Sequence, residues 1–397
     1  MNVSRVGVLG AGTMGRGIAQ LAALGGYETV LYDVAPALAE AGAAGLREAL
    51  DKGAERGRWS VDDAKAAAAR VETATEPEQL RGCELIIEAA PENLELKREI
   101  FTSLAQVLGP EPIFASNTSS LRVAAIAEGV PQPERVVGMH FFNPPALMKL
   151  VEVVAAERSS EAALAATTEV VERMGRTPIR AKDSPGFVAN RLARPFSLES
   201  LRILGDGIAE AATIDRIVRI GGGFRMGPFE LLDLIGLDVN LEIARSFFAQ
   251  GGEPERWRPS PIQEKLVAEG RFGRKSGHGY YEYSDDAPRD PDHDLGIDAP
   301  TLDPKQLAKI DPAAEAVLTR LFAQIANEAA FALEEEIASP ADMETAMKLG
   351  FNWPRGPLAI TELITPAGAV ELLDRLRDER GEAYAAASQL RAEAEAA

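Results

Sequence analysis

The chain has 397 residues, enough for two or three domains with sizeable cores, and it carries a formal net charge of −19 at pH 7. Such an acidic surface argues against nucleic acid and anionic membranes as partners, although a local basic pocket for a phosphorylated ligand is compatible with it. The single cysteine, Cys83, excludes an intramolecular disulfide and suits a reducing cytoplasm.

The sequence shows no membrane-spanning or secretory segment. No apolar run approaches the roughly twenty residues of a membrane span. Residues 1–4 lack the basic region and apolar core of a signal peptide. We therefore expect a soluble, cytoplasmic protein. Cys83 precedes the apolar residues 85–87, and we interpret it as a core residue rather than a nucleophile.

The N-terminus reads as strand, glycine turn and helix. Residues 6–9 predict a short buried strand, and residues 18–24 have helical spacing. Between them, Gly10 allows a tight turn, Gly12 lets the backbone approach a pyrophosphate, and Gly15 lets the helix pack on the strand. Amides at the helix N-terminus would face the anion. The alternative is that these glycines merely turn the chain.

A second apolar strand, residues 29–32, ends in Asp33. A carboxylate at this distance from the first glycine accepts the adenosine ribose hydroxyls of a dinucleotide. It also repels a 2′-phosphate. The pattern therefore predicts NAD rather than NADP as the cofactor.

Short apolar runs and helical stretches alternate through the first half of the chain. The runs and stretches are residues 84–88, 94–108, 113–115, 121–128 and 136–137. Alternation of this kind predicts an α/β fold with a doubly wound, Rossmann-like parallel sheet. The alanine-rich tract of residues 35–70 predicts a helical hairpin inside it.

The run Asp183-Ser-Pro-Gly-Phe187 interrupts this pattern, because proline and glycine together stop regular structure. Beyond it the apolar spacing is helical, so we place a domain boundary near residue 184. This predicts a first domain at residues 1–183 and an all-α domain at 184–284. Residues 285–305 are rich in Asp and Pro and predict a linker.

Residues 306–397 predict a second copy of the helical domain. With an offset of 129 positions, Arg191 meets Arg320 and Glu199 meets Glu328. Asn190 instead meets Thr319. The second copy keeps packing residues and loses polar ones, so we expect it to be structural, covering an apolar face that a partner subunit would otherwise cover.

His140 and Glu152 are the proposed catalytic pair. His140 is one of only three histidines, and Glu152 lies inside the apolar residues 147–154. An imidazole titrates near neutrality, and a carboxylate beside it fixes its tautomer and raises its basicity, which makes a general base. The alternative is that His140 caps a strand and Glu152 is a solvated strand residue.

Several motifs, in order along residues 5–283, resemble the L-3-hydroxyacyl-CoA dehydrogenases. They are Gly-Ala-Gly-Thr-Met-Gly, Glu92-Asn-Leu, Ser116-Asn-Thr-Ser-Ser, His140-Phe-Phe-Asn-Pro, Lys149-Leu-Val-Glu-Val, Asp183-Ser-Pro-Gly-Phe-Val-Ala-Asn-Arg and Met226-Gly-Pro-Phe-Glu-Leu-Leu-Asp. The duplicated helical domain is similar to that of the longer bacterial members, including 3-hydroxybutyryl-CoA dehydrogenases. The resemblance implies a monofunctional enzyme that oxidises (S)-3-hydroxyacyl-CoA to 3-ketoacyl-CoA reversibly, in fatty-acid β-oxidation or butanoate-type metabolism.

The resemblance also implies residue roles. His140 would take the proton of the 3-hydroxyl as C3 reduces NAD⁺, with Glu152 orienting the imidazole. Ser119 and Asn190 would hydrogen-bond the reacting oxygens, one from each domain, so that domain closure would complete the site. A helix N-cap is the alternative for Ser119, and a surface amide for Asn190. The implied cofactor-binding residues are Gly10, Gly12, Thr13, Met14, Gly15, Asp33, Glu92, Lys97, Ser119, Asn143 and Lys275.

Arg56 is the implied contact to the CoA moiety of the substrate, and no metal ligands are predicted. The expected assembly is either a homodimer or a monomer in which the second helical copy replaces the partner subunit. One other class is a non-catalytic NAD- or CoA-binding or structural protein on the same fold, which predicts loss of the catalytic polar groups. Another is a 6-phosphogluconate or nucleotide-sugar dehydrogenase, which needs a catalytic lysine or cysteine, and Cys83 is badly placed for that role.

Overall fold

The computed structural model describes residues 2–284 and 300–396, together with residues 295 and 297. The chain divides into two compact units, Met1–Phe187 and Val188–Ala397. This division falls within a few residues of the boundary expected near 184. The finer assignment of 184–284, 285–305 and 306–397 stays a prediction, and most of the expected linker lies outside the described residues.

The first unit is built on one sheet of eight strands. The strands are β1 (Arg5–Leu9), β2 (Glu28–Tyr32), β3 (Val71–Ala74), β4 (Leu85–Glu88), β5 (Ile113–Ser116), β6 (Val136–Phe141), β7 (Leu150–Ala155) and β8 (Thr177–Lys182). Their order is β3-β2-β1-β4-β5-β6-β7-β8. Neighbouring strands are parallel except for the antiparallel pair β6 and β7. The predicted Rossmann-like sheet is confirmed.

Six helices accompany this sheet. They are α1 (Thr13–Leu24), α2 (Pro36–Glu55), α3 (Val61–Ala69), α4 (Leu94–Leu108), α5 (Val123–Ile126) and α6 (Glu161–Arg173). Because helices cover a parallel sheet on both faces, its central strands are apolar along their whole length, and β4 and β5 are buried at every position. The predicted hairpin over residues 35–70 is confirmed as α2 and α3. Cys83 is buried, as expected for a core residue.

The helix expected over residues 121–128 is much shorter than predicted. The amides of Ser119 and Ser120 donate to Glu92, and that of Leu121 donates to the Thr118 hydroxyl. Side chains satisfy these amides, so the segment turns instead of starting a helix. The strands β3 and β8 were not anticipated from the sequence.

The second unit is helical in its described residues. Its helices are α7 (Ala189–Leu192), α8 (Arg194–Gly205), α9 (Ala211–Ile220), α10 (Pro228–Ile235), α11 (Leu237–Gln250), α12 (Pro261–Ala268), α13 (Pro304–Ile310), α14 (Ala314–Glu334), α15 (Pro340–Gly350), α16 (Pro357–Ile364), α17 (Pro366–Arg380) and α18 (Ser388–Ala396). None of the helices in the described part of the chain is long and apolar enough to cross a membrane.

The sequence repeat appears as a repeat of helices. With the 129-residue offset, α10 coincides with α16, and α9 and α11 correspond to α15 and α17. One difference has a simple cause. Pro195 lies in the first turn of α8 and has no N–H to donate, so α7 and α8 are separate helices. Gln324 stands at the equivalent position, and α14 runs unbroken through 21 residues.

Reciprocal ion pairs join the two copies. Arg191 Nε lies 2.8 Å from Glu328 Oε1, and Arg320 Nη2 lies 2.6 Å from Glu199 Oε1. Arg191 and Arg320 are equivalent under the 129-residue offset, and so are Glu199 and Glu328, so each ion pair is the counterpart of the other. All four residues are less than 5% exposed. The two copies therefore pack with approximate two-fold symmetry, as subunits do in a symmetric dimer.

The surroundings of these pairs repeat as well. Arg191 Nη1 also lies 2.7 Å from Glu335, and Arg320 Nη1 lies 2.7 Å from Asp206, again at equivalent positions. An aromatic donor completes each cluster. The indole of Trp257 donates to Glu328 at 2.9 Å, and the hydroxyl of Tyr384 donates to Glu199 at 3.2 Å.

Candidate active site

The His140–Glu152 pair is formed by the one antiparallel ladder of the sheet. His140 on β6 and Glu152 on β7 are direct partners in the register of these strands. The Nδ1 atom of His140 lies 2.6 Å from Oε2 of Glu152, with the residues 5% and 0% exposed. The readings of His140 as a strand cap and Glu152 as a solvated residue are therefore wrong.

This arrangement has a clear chemical consequence. When Nδ1–H donates to the carboxylate, Nε2 carries the lone pair that can accept a proton. The rings of Phe142 and Phe187 pack on the imidazole, with centroids at 4.7 and 5.7 Å. An imidazole oriented by a buried carboxylate and enclosed by aromatic rings can act as a general acid or base.

The glycine turn has the geometry that a dinucleotide requires. Gly10 has a φ of +91°, and a Cβ there would lie 2.9 Å from the carbonyl oxygen of Ala89. A Cβ on Gly15 would lie 1.8 Å from the carbonyl oxygen of Gly10, so only glycine fits. A Cβ on Gly12 would meet nothing within 4 Å. The backbone at Gly12 thus faces open space, where a phosphate can approach.

The N-terminus of α1 lacks a side-chain cap. Gly12 is the N-cap residue, and Thr13 and Met14 form the first turn, which contains no acidic residue. The first amides of the helix therefore keep their positive partial charge for an anion. Open space and uncapped amides together fit the pyrophosphate of NAD.

Asp33 follows β2 and supports the glycine turn. Its Oδ2 accepts the amide of Ala11 at 2.9 Å, and its Oδ1 accepts the amide of Ala35 at 3.1 Å. These two bonds fix the carboxylate beside the turn. A fixed carboxylate at this place can accept ribose hydroxyls, as the sequence predicts.

Glu92 organises the loop that follows β5 and carries Ser119. Its Oε1 accepts the Thr118 and Ser120 hydroxyls at 2.6 and 2.8 Å, and the amides of Ser119 and Ser120, both at 3.1 Å. Burial opposes ionisation, but the hydrogen bonds from Thr118 and Ser120 and the charge of Lys97 lower the pKa of Glu92. The N-cap of α5 is Arg122, so the alternative role of Ser119 as a helix cap is wrong. Ser119 itself is exposed.

Lys97 is buried in an ionic cluster that sequence reasoning missed. Its Nζ lies 2.6 Å from Glu88 Oε1 and 3.4 Å from Glu92 Oε2, and it donates to the carbonyl of Ala90 at 3.2 Å. Glu88 is fully buried at the end of β4 and also accepts the hydroxyl of Ser116 at 2.6 Å. The signal was present, because a carboxylate that ends an apolar strand needs a partner.

The remaining predicted residues are divided between the two units. Asn143 is exposed in the loop after β6, and Arg56 is exposed at the end of α2. Asn190 and Lys275 lie in the second unit, Asn190 on α7 and Lys275 in the 3₁₀ turn Arg274–Ser276. The Nζ of Lys275 lies 2.6 Å from a carboxylate oxygen of Asp238.

The fold and these features define an NAD-dependent dehydrogenase. Two family models match most of the chain: the NAD-binding domain of 3-hydroxyacyl-CoA dehydrogenase at residues 5–184, and the C-terminal domain of 3-hydroxyacyl-CoA dehydrogenase at residues 186–283 and 317–396. The chain belongs to the 3-hydroxyacyl-CoA dehydrogenase family, whose members are NAD-dependent oxidoreductases.

Individual relatives agree with this family. The 3-hydroxyadipyl-CoA dehydrogenase of Escherichia coli K12 is 34% identical, over 96% of this chain and 95% of its own length. The probable 3-hydroxybutyryl-CoA dehydrogenase of Deinococcus radiodurans is 39% identical, over 70% of this chain and all of its own length. The crystal structure of 3-hydroxybutyryl-CoA dehydrogenase from Escherichia coli K12 superposes with a TM-score of 0.89 at 33% identity, covering 100% of this chain and 99% of the other.

Proposed function

We propose that this chain oxidises (S)-3-hydroxyacyl-CoA reversibly to 3-ketoacyl-CoA with His140 as the general base and acid. The His140–Glu152 contact of 2.6 Å carries the proposal, because it leaves Nε2 to exchange a proton with the 3-hydroxyl. Bound NAD⁺ supplies the hydride acceptor. Glu152 holds the ring in one tautomer and stabilises the imidazolium that forms.

The polar groups around the substrate complete this proposal. Ser119 and Asn190 hydrogen-bond the reacting oxygens, and Glu92 positions Ser119 through the loop amides. Lys97 acts by holding Glu92, since its ammonium already lies against Glu88, Glu92 and the Ala90 carbonyl.

The proposal also assigns the residues that contact NAD and the CoA moiety of the substrate. The turn Gly10–Gly15 and Asp33 bind the pyrophosphate and the ribose. Asn143 and Lys275 contact the cofactor, and the exposed Arg56 contacts the CoA moiety of the substrate.

Turnover of acetoacetyl-CoA with NADH, followed by NADH absorbance, tests the proposal. We expect wild type to be active and His140→Ala to lose about 1,000-fold in kcat, because reduction of the 3-oxo group loses its proton donor. Fluorescence titration with NADH shows whether the variant still binds the cofactor. The proposal fails if wild-type protein binds NADH but turns over neither acetoacetyl-CoA nor longer 3-ketoacyl-CoAs. That result would favour a non-catalytic NAD- or CoA-binding protein. NADPH serves as the cofactor control.

We also propose that the protein is a monomer whose second helical copy replaces a partner subunit. The reciprocal Arg191–Glu328 and Arg320–Glu199 pairs support this, because an internal two-fold interface already covers the face that a dimer would use. Light scattering after size exclusion should give a mass near 42.4 kDa. Twice that mass would favour the homodimer.

The substrate and cellular context follow from the relatives' names as a proposal. Relatives are named for 3-hydroxybutyryl-CoA and 3-hydroxyadipyl-CoA, which supports a short acyl group and a role in fatty-acid or butanoate-type metabolism. The bacterial origin of these relatives supports a cytoplasmic location. A kcat/KM series over 3-ketoacyl-CoAs of increasing length tests the acyl group. A maximum at long chains would contradict it.

A further inference from the structure

Arg194 is a buried cation without a counterion in the part of the chain that the structure describes. It is the first residue of α8 and is only 7% exposed. Its Nε and Nη1 atoms are inaccessible and have no hydrogen-bond partner among the described residues. The guanidinium carbon lies 5.1 Å from the ring centroid of Phe247. One face of the guanidinium is therefore supported by an aromatic ring, while two of its donor atoms are unused.

Other buried arginines of the same unit are fully paired. Arg191 and Arg320 each contact two carboxylates. A buried guanidinium without such partners lowers the free energy of unfolding. Burial lowers the pKa of Arg194 to about 10, which still leaves the side chain charged near neutral pH. An anionic ligand would supply the missing partner.

The position of Arg194 indicates which part of a ligand it would meet. Arg194 follows Asn190 by four residues, and Ala193 between α7 and α8 keeps helical backbone angles. Side chains four residues apart lie on the same helix face, about 6 Å apart along the axis. If Asn190 binds a reacting oxygen of the substrate, Arg194 lies one helical turn from it.

The internal repeat provides an independent comparison. The second copy keeps Arg320 at the place of Arg191, whose role is packing between the copies. At the places of Asn190 and Arg194 it has Thr319 and Ala323. The two polar groups are thus present together in the first copy and absent together from the second, as expected for residues that serve one ligand.

We propose that Arg194 binds the terminal carboxylate of a dicarboxylic 3-hydroxyacyl-CoA and thereby sets acyl specificity. The inference rests on the proposed function, in particular on the role of Asn190. In a six-carbon dicarboxylic acyl group the carboxylate stands three bonds beyond the hydroxyl-bearing carbon, which fits a separation of one helical turn. An unpartnered guanidinium can bind a carboxylate through charge-assisted hydrogen bonds.

The test compares three substrates in wild type, Arg194→Met and Arg194→Lys. The substrates are 3-oxoadipyl-CoA, its ω-methyl ester, which has the same chain without the charge, and acetoacetyl-CoA. Arg245→Met is the control for loss of a cation, because Arg245 is exposed and pairs only with surface carboxylates. Thermal unfolding of each variant is measured in parallel.

We expect wild type to prefer 3-oxoadipyl-CoA over the ester. Arg194→Met should reduce the ratio of the two kcat/KM values about 100-fold, as expected for loss of one partner of a buried charge pair. Arg194→Lys should keep part of the preference, and Arg245→Met all of it. The unfolding midpoint of Arg194→Met should equal or exceed that of wild type, because the variant removes an unpaired buried charge.

Other outcomes would overturn the inference and identify the reason. Equal losses for all three substrates in Arg194→Met would mean that Arg194 binds a CoA phosphate or serves the fold. A wild-type preference for the ester or for acetoacetyl-CoA would reject the inference while leaving the His140 chemistry intact. No turnover of any substrate would reject the proposed function itself.

Discussion

His140 and Glu152 face each other across the antiparallel β6–β7 ladder, with Nδ1 and Oε2 2.6 Å apart. A parallel pairing would need a crossover connection between the strands. The reversal at this point of the sheet allows two residues that are close in sequence to become direct partners. The pair is preorganised by the backbone register, so no side-chain rearrangement is required to form it.

Replacing Glu152 should impair turnover more than cofactor binding. Glu152→Gln keeps the shape but removes the negative charge that favours the imidazolium, and we expect kcat to fall about 100-fold or more. The KM for NADH should change little. Steady-state kinetics with acetoacetyl-CoA measure both values. Glu161→Gln is the control, because Glu161 is an exposed carboxylate that pairs with Arg180. Equal effects of the two changes would contradict the role of Glu152.

The two glycines of the turn should respond differently to alanine. Gly15→Ala places a Cβ 1.8 Å from a backbone oxygen, so the unfolding midpoint should fall by several degrees. An alanine Cβ at position 12 would meet no neighbouring atom, and the φ of Gly12, −69°, is one that alanine adopts readily. The unfolding midpoint of Gly12→Ala without cofactor should therefore stay unchanged. Its affinity for NADH should fall about 10-fold, because the Cβ enters the space of the pyrophosphate. Thermal scans with and without NADH separate the two effects, and an unchanged NADH affinity in Gly12→Ala would place the pyrophosphate elsewhere.

Asp33 should control the choice between NADH and NADPH. Asp33→Asn removes the charge that repels a 2′-phosphate, and it also leaves one oxygen for the two amides of Ala11 and Ala35. We expect the NADH-to-NADPH ratio of kcat/KM to fall about 10-fold. Asp62→Asn, at an exposed position on α3, controls for the change in net charge. If the NADH-to-NADPH ratio of kcat/KM changed equally in both variants, Asp33 would have no specific role in cofactor recognition.

Because the two helical copies pack with two-fold symmetry, equivalent substitutions in them should lower the free energy of unfolding by similar amounts. Glu328→Gln and Glu199→Gln each weaken the pairing of a buried arginine, and we expect each to lower the free energy of unfolding by about 3 kcal/mol. Glu264→Gln breaks an exposed pair with Arg245 and should cost no more than about 0.5 kcal/mol. Urea titrations provide the three values. Markedly different losses for Glu328 and Glu199 would contradict the two-fold symmetry of the interface.

Cys83 should be chemically inert in the folded protein. Burial raises the pKa of its thiol to about 11, so the reactive thiolate is scarce at neutral and mildly alkaline pH. We expect Ellman's reagent to label Cys83 only when urea unfolds the first unit. Rapid labelling of native protein would show that the strand region around Cys83 opens readily.

Local sequence patterns were sufficient to predict the motifs and most elements of the first unit, but not β3 and β8. Strand, glycine turn and helix at residues 6–24 follow from local patterns, because turn conformation and helix capping depend on near neighbours. The His140–Glu152 pair was also accessible, since both residues belong to adjacent apolar runs. The internal repeat was visible from residue identities alone.

The partners of the buried charges, in contrast, depend on how distant elements pack together. Glu88 accepts the hydroxyl of Ser116 because β4 and β5 are neighbours in the sheet, and the sequence does not state this strand order. Arg191 and Glu328 are 137 positions apart and join through packing of two helical copies. Nothing in the sequence distinguishes Arg194 from other helix residues, and only the structure shows that its guanidinium is buried with no partner among the described residues. Local patterns determine where elements begin and end, whereas the partner of a buried charge depends on which elements pack together.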